Sequence, residues 1–318
     1  MNSDELPILL WESSNPTSYL HLKRLEKFFK ILFNRDKLTT KEKSHVLGIS
    51  THTSPKGFYD GEFFDEFESL QFVASPTTGN THFDEEFLIK RNIQVFKLKG
   101  REILNEITSS SEHAVYLMLS AFRNSKRISH AVEDGSWRIR ENEFRANQIA
   151  NKKIGIIGYG RIGHNVANCL KALKAEIFIN DIKNINSEFT KLELKNMFKL
   201  CDAILISCTY DNSTHKLINK ELLNLANNLF LINIARGEII DEIDLLEAIN
   251  FGNVQRYYSD VISGEQMGCQ KNIIWRESKK NKNIKLTPHS AGLSYESENF
   301  AVSDIVSQIE LFIEKKCL

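Results

Sequence analysis

The sequence has few of the residues that mark disulfide scaffolds, redox motifs or proline-rich linkers. Its five cysteines are widely spaced and include no Cys-x-x-Cys pair, so we expect reduced thiols and no metal site. The chain has five prolines and none between Pro76 and Pro288, so we expect no proline-rich linker between domains. The longest apolar runs, such as 114–122, fall well short of the roughly 18 residues that span a bilayer.

An excess of charge of either sign is also lacking. Lys plus Arg and Asp plus Glu number 41 each, so no overall field draws the chain to nucleic acid or to an anionic membrane. Residues 1–14 carry acidic side chains where a signal peptide needs basic ones. Together with the reduced thiols, these features predict a cytoplasmic protein without a nucleic-acid or membrane partner.

The length and composition of the chain predict two globular domains. The 318 residues exceed a typical core of about 100–200 residues, although one large α/β domain is an alternative. With 42% hydrophobic and 26% charged residues, the chain has enough apolar side chains to build a core.

Apolar periodicity predicts a first run of alternating strands and helices. Strands are predicted at 7–11, 46–50, 71–75 and within 88–100, with a helix at 19–33. One long helix is predicted over 109–128, with its N-cap among the serines that precede Glu112.

From residue 153 the alternation is stronger. Strands that alternate with helices predict a parallel, doubly wound sheet. The predicted strands are 153–158, 176–181, 201–208, 228–235, 256–262 and 283–287, and the predicted helices are 164–174, 191–200, 220–226, 241–250 and 294–316.

The motif GYGRIG places Gly158, Gly160 and Gly163 in a G-x-G-x-x-G arrangement between a predicted strand and a predicted helix. In dinucleotide-binding folds such glycines permit the tight turn, the approach of a pyrophosphate to the backbone and close helix–sheet packing. Asp181 ends the next strand, where a carboxylate binds the adenosine ribose and repels a 2′-phosphate, which favours NAD over NADP. The alternatives are an ordinary glycine turn and a solvated aspartate.

Further polar residues follow predicted strands, at the sheet edge where open α/β folds bind ligands. Arg236 follows a buried apolar run, and its guanidinium suits a carboxylate; otherwise it is a surface arginine. His289 follows Pro288, and imidazole is the side-chain group best suited to proton transfer near neutral pH; otherwise His289 is a structural histidine. Glu265, beyond the strand end at Asp260, either holds a histidine tautomer or is a solvated carboxylate.

In this order, the motifs resemble the D-isomer-specific 2-hydroxyacid dehydrogenases, which include D-lactate, glycerate/hydroxypyruvate and phosphoglycerate dehydrogenases. The resemblance covers nearly the whole chain. It runs through SPTTGNTHFD (75–84), SSSEHAVYLMLSAFRN (109–124), IGIIGYGRIG (154–163), Asp181, LINIARGEIIDEIDLLEAI (231–249), SDVISGE (259–265) and LTPHSAG (286–292).

The resemblance implies an α/β fold of two doubly wound parallel-sheet domains, with a Rossmann-type cofactor domain inserted into a flavodoxin-like substrate domain. The expected boundaries are 1–99 with 289–318 for the substrate domain and 100–288 for the NAD-binding domain. The C-terminal helix is expected to return to the first domain. Family members dimerise through the cofactor domain, so a homodimer is expected. A regulatory domain of the kind appended to some phosphoglycerate dehydrogenases is not expected after residue 318.

The resemblance also implies residue roles. Arg236 would bind the substrate's carboxylate and carbonyl oxygen, His289 would give and take the proton, and Glu265 would pair with His289. The family's spacing from Asp260, which would face the nicotinamide carboxamide, selects Glu265 over Glu277. The other expected contacts are Gly158, Gly160, Arg161, Ile162, Gly163, Asp181, Cys208, Thr209 and Ala235 for the cofactor and Thr78 and Gly79 for the substrate, with His113 structural.

The implied activity is hydride transfer between NAD and a small 2-oxo or D-2-hydroxy acid in a cleft between the domains. One alternative is a non-enzymatic NAD-sensing protein, because related corepressors keep the same three residues. Another is a dehydrogenase of a different small anion, although the formate type lacks the glutamate. Thr51 and His52 are candidates for selecting the 2-oxo acid.

Two positions depart from the family's pattern. The family usually has a proline-containing stretch around the glutamate, and VISGEQMGCQ (261–270) has none. Lys174 stands where many members carry glycine before the second strand of the cofactor domain.

Overall fold

The computed structural model describes residues 6–12, 18–51, 58–79, 82–98, 100, 102–138 and 141–316. Its strands are β1 (Ile8–Trp11), β2 (Lys30–Leu32), β3 (Val46–Ser50), β4 (Phe72–Ala74), β5 (Gln94–Phe96), β6 (Lys153–Ile157), β7 (Glu176–Asn180), β8 (Thr190–Lys191), β9 (Ala203–Ile206), β10 (Leu229–Asn233), β11 (Val254–Ser259) and β12 (Ile284–Leu286).

Helices lie between these strands and at the C-terminal end. They are α1 (Ser18–Leu22), α2 (Thr40–Lys43), α3 (Gly61–Asp65), α4 (Glu85–Lys90), α5 (Ser109–Phe122), α6 (Ser125–Glu133), α7 (Glu141–Phe144), α8 (Arg161–Ala172), α9 (Leu194–Leu200), α10 (Lys220–Leu223), α11 (Glu242–Phe251), α12 (Ile273–Ser278) and α13 (Tyr295–Lys316). Short 3-10 turns occur at Arg35–Lys37, Glu102–Asn105, Gly237–Ile239, Glu265–Met267 and Cys269–Lys271.

The chain divides into two compact units. One consists of Met1–Ile107 with Leu293–Leu318, and the other is Thr108–Gly292. The second unit is therefore inserted into the first in sequence. Relative to the boundaries expected from the sequence, residues 100–107 lie with the first unit and residues 289–292 with the second, so His289 belongs to the larger unit.

The first unit is built on a parallel sheet with strand order β2-β1-β3-β4-β5. This is the flavodoxin-like order, so the predicted fold class of this unit is confirmed. Alternate residues of β1 enter different cores: Leu9 packs with the buried face of α13, including Ile305 and Ile309, and Leu10 packs on the other side of the sheet. The C-terminal helix thus returns to the first unit, as expected.

The helix predicted over 19–33 is only partly right. α1 ends at Leu22, turns follow, and β2 pairs in parallel with β1, Lys30 opposite Ile8. Leu25 and Phe29 are buried four residues apart, which produces the helical periodicity although turns carry them. Pairing at the sheet edge has overridden the local helical pattern.

The second unit contains a parallel sheet with order β12-β11-β10-β9-β6-β7-β8. The order reverses between β6 and β9, as in the Rossmann fold, where ligands bind at this reversal. The predicted helix 109–128 is interrupted: α5 ends at Phe122 and α6 begins at Ser125, because buried Asn124 adopts a left-handed φ of 54°. Of the helices in the described ranges, none has the length and apolar character to cross a membrane.

Candidate active site

The glycine turn lies between β6 and α8, at the strand-order reversal. Gly158 has a φ of 90°, and a Cβ atom there would lie 2.4 Å from the backbone of Cys208, so only glycine fits. A Cβ on Gly163 would lie 2.2 Å from the carbonyl oxygen of Gly158. A Cβ on Gly160, the N-cap of α8, would meet no atom within 4 Å. Space is therefore open beside the first amides of α8.

These amides suit a pyrophosphate. The first N–H groups of a helix have no partner within the helix, and the helix dipole favours negative charge there. Arg161 and Ile162, the first two helical residues, are half-buried at this end. Burial lowers the pKa of the Arg161 guanidinium.

Asp181 follows β7 beside the glycine turn. Its Oδ2 accepts the backbone N–H of Tyr159 at 2.8 Å, and its Oδ1 accepts that of Lys183 at 2.8 Å. Each carboxylate oxygen retains capacity for a second hydrogen bond, which the hydroxyls of a ribose can supply. The open turn, the helix N-terminus and this carboxylate together fit a dinucleotide with a free 2′-hydroxyl.

Cys208 and Thr209 follow β9, on the other side of the reversal. The Cys208 backbone packs directly against Gly158. Burial raises the pKa of the Cys208 thiol to about 11. Thr209 is exposed, and its carbonyl oxygen accepts the hydroxyl of Thr214. The structure thus brings both residues to the glycine turn's edge of the sheet.

The turn that carries Arg236 is held by Asn233, a residue that the sequence analysis missed. Asn233 is fully buried at the end of β10; its Oδ1 accepts the N–H of Ala235, and its Nδ2 donates to the carbonyl oxygen of Arg236, each at 2.9 Å. Its backbone carbonyl accepts the N–H of Asp260, also at 2.9 Å. Arg236 itself is half-buried and donates from Nη1 to the Ala235 carbonyl at 2.7 Å.

Asp260 is 1% exposed, and its carboxylate is directed at the segment that contains His289. Oδ1 accepts the Thr287 hydroxyl at 2.5 Å and the Ser290 amide at 2.9 Å, and Oδ2 accepts the Ala291 amide at 2.8 Å. Most of the hydrogen-bonding capacity of the Asp260 carboxylate is thus used by partners within its own unit. A contact with the nicotinamide carboxamide, expected from the sequence, has only the remaining lone-pair sites available.

His113 of α5 completes this network. Because the Thr287 hydroxyl donates to a carboxylate, its oxygen accepts from His113 Nε2, 3.0 Å away, which fixes a proton on that nitrogen. His113 Nε2 also lies 3.4 Å from Asp260 Oδ1. Burial raises the pKa of the Asp260 carboxyl, but hydrogen bonds from His113, Thr287 and two backbone amides outweigh it and hold that pKa below the usual value.

His289 and Glu265 form the pair that the sequence predicts. Nδ1 of His289 lies 2.5 Å from Oε1 of Glu265, with side chains 40% and 28% exposed. His289 adopts a left-handed φ of 51°, and its backbone N–H donates to the carbonyl oxygens of Asp260 at 2.9 Å and Thr287 at 3.0 Å. A carboxylate accepts only, so the proton between Nδ1 and Oε1 belongs to Nδ1, and Nε2 is left for other partners.

Thr78 and Gly79 lie in the loop after β4 in the first unit. A chain of polar contacts shapes this loop: Ser75 Oγ lies 2.8 Å from Thr77 Oγ1, which donates to the Gly79 carbonyl at 2.8 Å, and 3.1 Å from Nε2 of buried His82.

Thr51 belongs to the same network. Its hydroxyl lies 3.1 Å from His82 Nε2, and the residue is fully buried, so it supports the loop and does not present its side chain to a substrate. This overturns its proposed part in selecting the 2-oxo acid, and His52 lies outside the described residues.

Comparison with known proteins identifies the family. A model described as "D-isomer specific 2-hydroxyacid dehydrogenase, NAD binding domain" matches residues 115–291. The chain belongs to this family. The dehydrogenase is an oxidoreductase with NAD as its cofactor, and its NAD-binding domain includes the glycine turn, Asp181 and the Glu265–His289 pair.

Relatives of this dehydrogenase have several substrates in their names. It is 24% identical to a formate dehydrogenase of Neurospora crassa, over 84% of this chain and 73% of that protein. It is 25% identical to a hydroxypyruvate reductase of Blautia hydrogenotrophica, over 89% of each. A D-lactate dehydrogenase structure from Aquifex aeolicus, with NAD and lactic acid bound, superposes with a TM-score of 0.82 at 22% identity, over 97% of this chain and 96% of that one. These names are those of enzymes, so a non-enzymatic NAD sensor is not favoured.

Proposed function

We propose that the dehydrogenase reduces a 2-oxo acid to the corresponding D-2-hydroxy acid with NADH, and catalyses the reverse oxidation. The contact between His289 Nδ1 and Glu265 Oε1, 2.5 Å long, carries this proposal. It leaves Nε2 as the nitrogen that exchanges a proton with the substrate, because Nδ1 is engaged by the carboxylate. Reduction of a carbonyl needs such a proton, because the carbonyl oxygen becomes a hydroxyl.

The proton step follows from the pair. NADH held at the glycine turn and Asp181 would supply the hydride that reduces the carbonyl carbon. In the same conversion, Nε2–H of protonated His289 donates its proton to the carbonyl oxygen, and Glu265 stabilises the imidazolium and holds the ring's orientation. In the oxidative direction, Nε2 accepts the proton of the substrate hydroxyl.

Arg236 is the proposed carboxylate ligand. It stands in extended conformation at the start of a 3-10 turn, with its backbone held by the buried amide of Asn233. A guanidinium presents two parallel N–H donors that match a carboxylate, and its positive charge stabilises negative charge on the carbonyl oxygen. Thr78 and Gly79 stay predicted substrate-binding residues. Ala235 and the residues named above for the cofactor stay predicted cofactor-binding residues.

A 2-oxo acid is favoured over formate. The formate relatives are similar over much of the chain, but formate oxidation removes a hydride from a substrate that has no hydroxyl proton to transfer. A Glu–His pair that presents Nε2 for proton exchange is therefore better matched to hydroxy acid chemistry.

The test is turnover by purified protein with a panel of 2-oxo acids: glyoxylate, pyruvate, hydroxypyruvate, phosphohydroxypyruvate, 2-oxoglutarate and branched or aromatic analogues. We expect NADH oxidation with at least one of them, with the D-hydroxy acid as the product on chiral chromatography. Formate with NAD is assayed in parallel. Formate oxidation without reduction of any 2-oxo acid would overturn the proposal.

Two variants test the residue roles in the same assay. Arg236→Ala should raise KM for the 2-oxo acid and lower kcat together, with Arg236→Lys as the control that keeps the charge but loses the paired donors. His289→Ala should chiefly lower kcat, by about 100-fold or more. Normal turnover by His289→Ala would show that the acid has been misassigned.

We further propose a homodimer formed through the larger unit. Val132 of α6 is 56% exposed, and Trp137 beyond it is 74% exposed, so this segment presents apolar side chains to solvent. Light scattering should give twice the chain mass of 36.6 kDa. Trp137→Glu should yield a monomer, whereas Phe251→Glu, at another exposed aromatic of the same unit, should remain a dimer. A monomeric wild type would refute the dimer.

A cytoplasmic location is proposed as well. Cys169, Cys201, Cys208 and Cys269 form no disulfide within the described part of the chain, as expected in a reducing compartment. Fractionation of cells that produce the tagged full chain should recover the protein with cytosolic markers.

A further inference from the structure

The loop that carries Glu265 lacks the family's proline-containing stretch, and its path is defined by two glutamates of the neighbouring segment. Glu238, in the 3-10 turn after Arg236, accepts the backbone N–H of Gly264 through Oε1 at 2.9 Å. Glu242, the first residue of α11, accepts the backbone N–H of Ser263 through Oε1 at 2.8 Å. The two amides immediately before Glu265 are thus both held by carboxylates.

A third side chain closes the far end of this loop. Asn272 donates from Nδ2 to Oε2 of Glu242 at 2.6 Å and to the carbonyl oxygen of Ser263 at 3.0 Å. Its Oδ1 accepts the N–H of Trp275 and caps α12. The loop from Ser263 to Asn272 is therefore fastened at both ends to the same carboxylate.

The backbone itself joins this loop to the arginine turn. A Cβ on Gly237 would lie 2.0 Å from the carbonyl carbon of Ile262, so the residue after Arg236 is in direct backbone contact with the segment between β11 and Glu265. Gly264 and Gly268 adopt left-handed φ values of 63° and 96° on either side of the Glu265–Met267 turn. Glycine residues have wide conformational freedom, so this turn would be mobile if the Ser263 and Gly264 amides were not restrained.

Resting on the proposed function, we propose that Glu238 and Glu242 are positioning residues that keep Glu265 in contact with His289. They take over the restraint that a proline-containing loop would provide. They act through the Ser263 and Gly264 amides and touch neither substrate nor cofactor in this role. Burial raises the pKa of the Glu242 carboxyl, and repulsion from Glu238 and Asp241 adds to this, while the hydrogen bonds from Ser263 and Asn272 lower it in part.

The test compares Glu238→Ala with Glu238→Gln and with Glu247→Ala. Glu238→Ala removes the acceptor of the Gly264 amide, and Glu238→Gln restores an acceptor without charge. Glu247, an exposed glutamate of α11, is the matched control because the hydrogen bond that the structure describes for its carboxylate is with Lys220, outside the loop. Glu242→Gln is the second variant: both oxygens of Glu242 accept from donors, so an amide group must place its N–H against one of them.

Two readouts are needed. Steady-state kinetics should show kcat about tenfold to a hundredfold lower in Glu238→Ala and Glu242→Gln, with the KM for NADH unchanged. The 15N signals of the His289 ring, identified by their loss in His289→Gln, should show the Nδ1–H tautomer of the neutral ring in the wild type. In the two variants, a share of the Nε2–H tautomer should appear. Glu238→Gln and Glu247→Ala should behave as the wild type.

The outcomes separate this inference from the proposed function. If both loop variants keep the wild-type kcat and tautomer, the positioning role is wrong. If both lose kcat without a change of tautomer, the role is also wrong, since the loss then has another origin. If the wild type reduces no 2-oxo acid, the proposed function fails, and the tautomer comparison still decides whether the glutamates position Glu265.

Discussion

The backbone N–H of His289 donates to the carbonyl oxygen of Asp260 across 2.9 Å. The side chain of Asp260 binds the same segment from the other side, through the amides of Ser290 and Ala291. His289 is therefore fixed by its backbone before its ring contacts Glu265. A left-handed conformation, unfavourable for a histidine, is maintained by these bonds.

Asp260→Asn should loosen this segment. Each of the carboxylate's partners is a donor, so one face of the replacement amide sets N–H against N–H or O–H. We expect a free energy of unfolding about 1–3 kcal/mol lower and a kcat at least tenfold lower. Urea unfolding and steady-state kinetics check both. Thr287→Val, which removes one donor and keeps the shape, should have the smaller effect; equal kcat in Asp260→Asn and wild type would exclude the positioning of His289 by Asp260.

The stability contributed by Asp260 should depend on pH with a defined sign. Its pKa in the folded protein is below the value of about 3.9 in an unfolded chain. Such a group stabilises the fold above the unfolded pKa, and the contribution is lost as the pH falls through the folded value. The difference in unfolding free energy between wild type and Asp260→Asn should therefore be constant above about pH 5 and shrink on acidification. A difference that grows in acid would contradict this linkage.

Most strands of both sheets could be predicted because their signals are local. Val46–Ser50 and Leu229–Asn233 are fully buried apolar runs, which the parallel interior of an α/β sheet requires. β2 could not be predicted: its three residues are half-buried at a sheet edge, and their sequence continues a helical pattern. β8, an exposed two-residue strand, has no apolar pattern at all.

Some site residues could be predicted from the sequence and others could not, again because only local patterns are visible there. The glycine turn is a contiguous motif, and its space requirements follow from the backbone alone. Thr287 and His113 act through partners that are distant in sequence: Thr287 is 174 positions from His113 and 27 positions from Asp260. Only the fold brings such residues together, so local sequence gives no sign that the Asp260 carboxylate is directed at its own unit.

Asp181 should determine the choice between NADH and NADPH. Asp181→Ser removes the charge that repels a 2′-phosphate and weakens the contact with the ribose hydroxyls. We expect kcat/KM to fall about tenfold or more with NADH and to rise with NADPH, since each 1.4 kcal/mol of binding is tenfold. Asp181→Asn keeps one acceptor for the Tyr159 amide, so it measures the part of the cofactor preference that is due to the negative charge. An unchanged NADH/NADPH ratio in both variants would place the ribose elsewhere.

The thiols should differ in reactivity. Burial raises the pKa of Cys208 to about 11 and that of Cys201 to about 12, so about 0.1% or less of either is thiolate at pH 8. Cys169 is exposed on α8. Iodoacetamide at pH 8 should therefore modify Cys169 well before the other two, as followed by peptide mass spectrometry. Faster modification of Cys208 than of Cys169 would show that its burial is not maintained in solution.

Lys174→Gly should stabilise the protein. Lys174 has a φ of 65° at the end of α8, where its N–H donates to Lys171 and that of Ala175 to Leu170. Left-handed backbone costs a residue with a Cβ about 1–2 kcal/mol, whereas glycine loses about 0.5–1 kcal/mol through the greater entropy of the unfolded chain. A net gain of roughly 0.5–1 kcal/mol is expected in urea unfolding, with unchanged kcat. Lys171→Gly, which makes the same substitution inside the helix, should instead lower the free energy of unfolding by about 1 kcal/mol. If both variants are less stable than the wild type, α8 does not end in a left-handed residue.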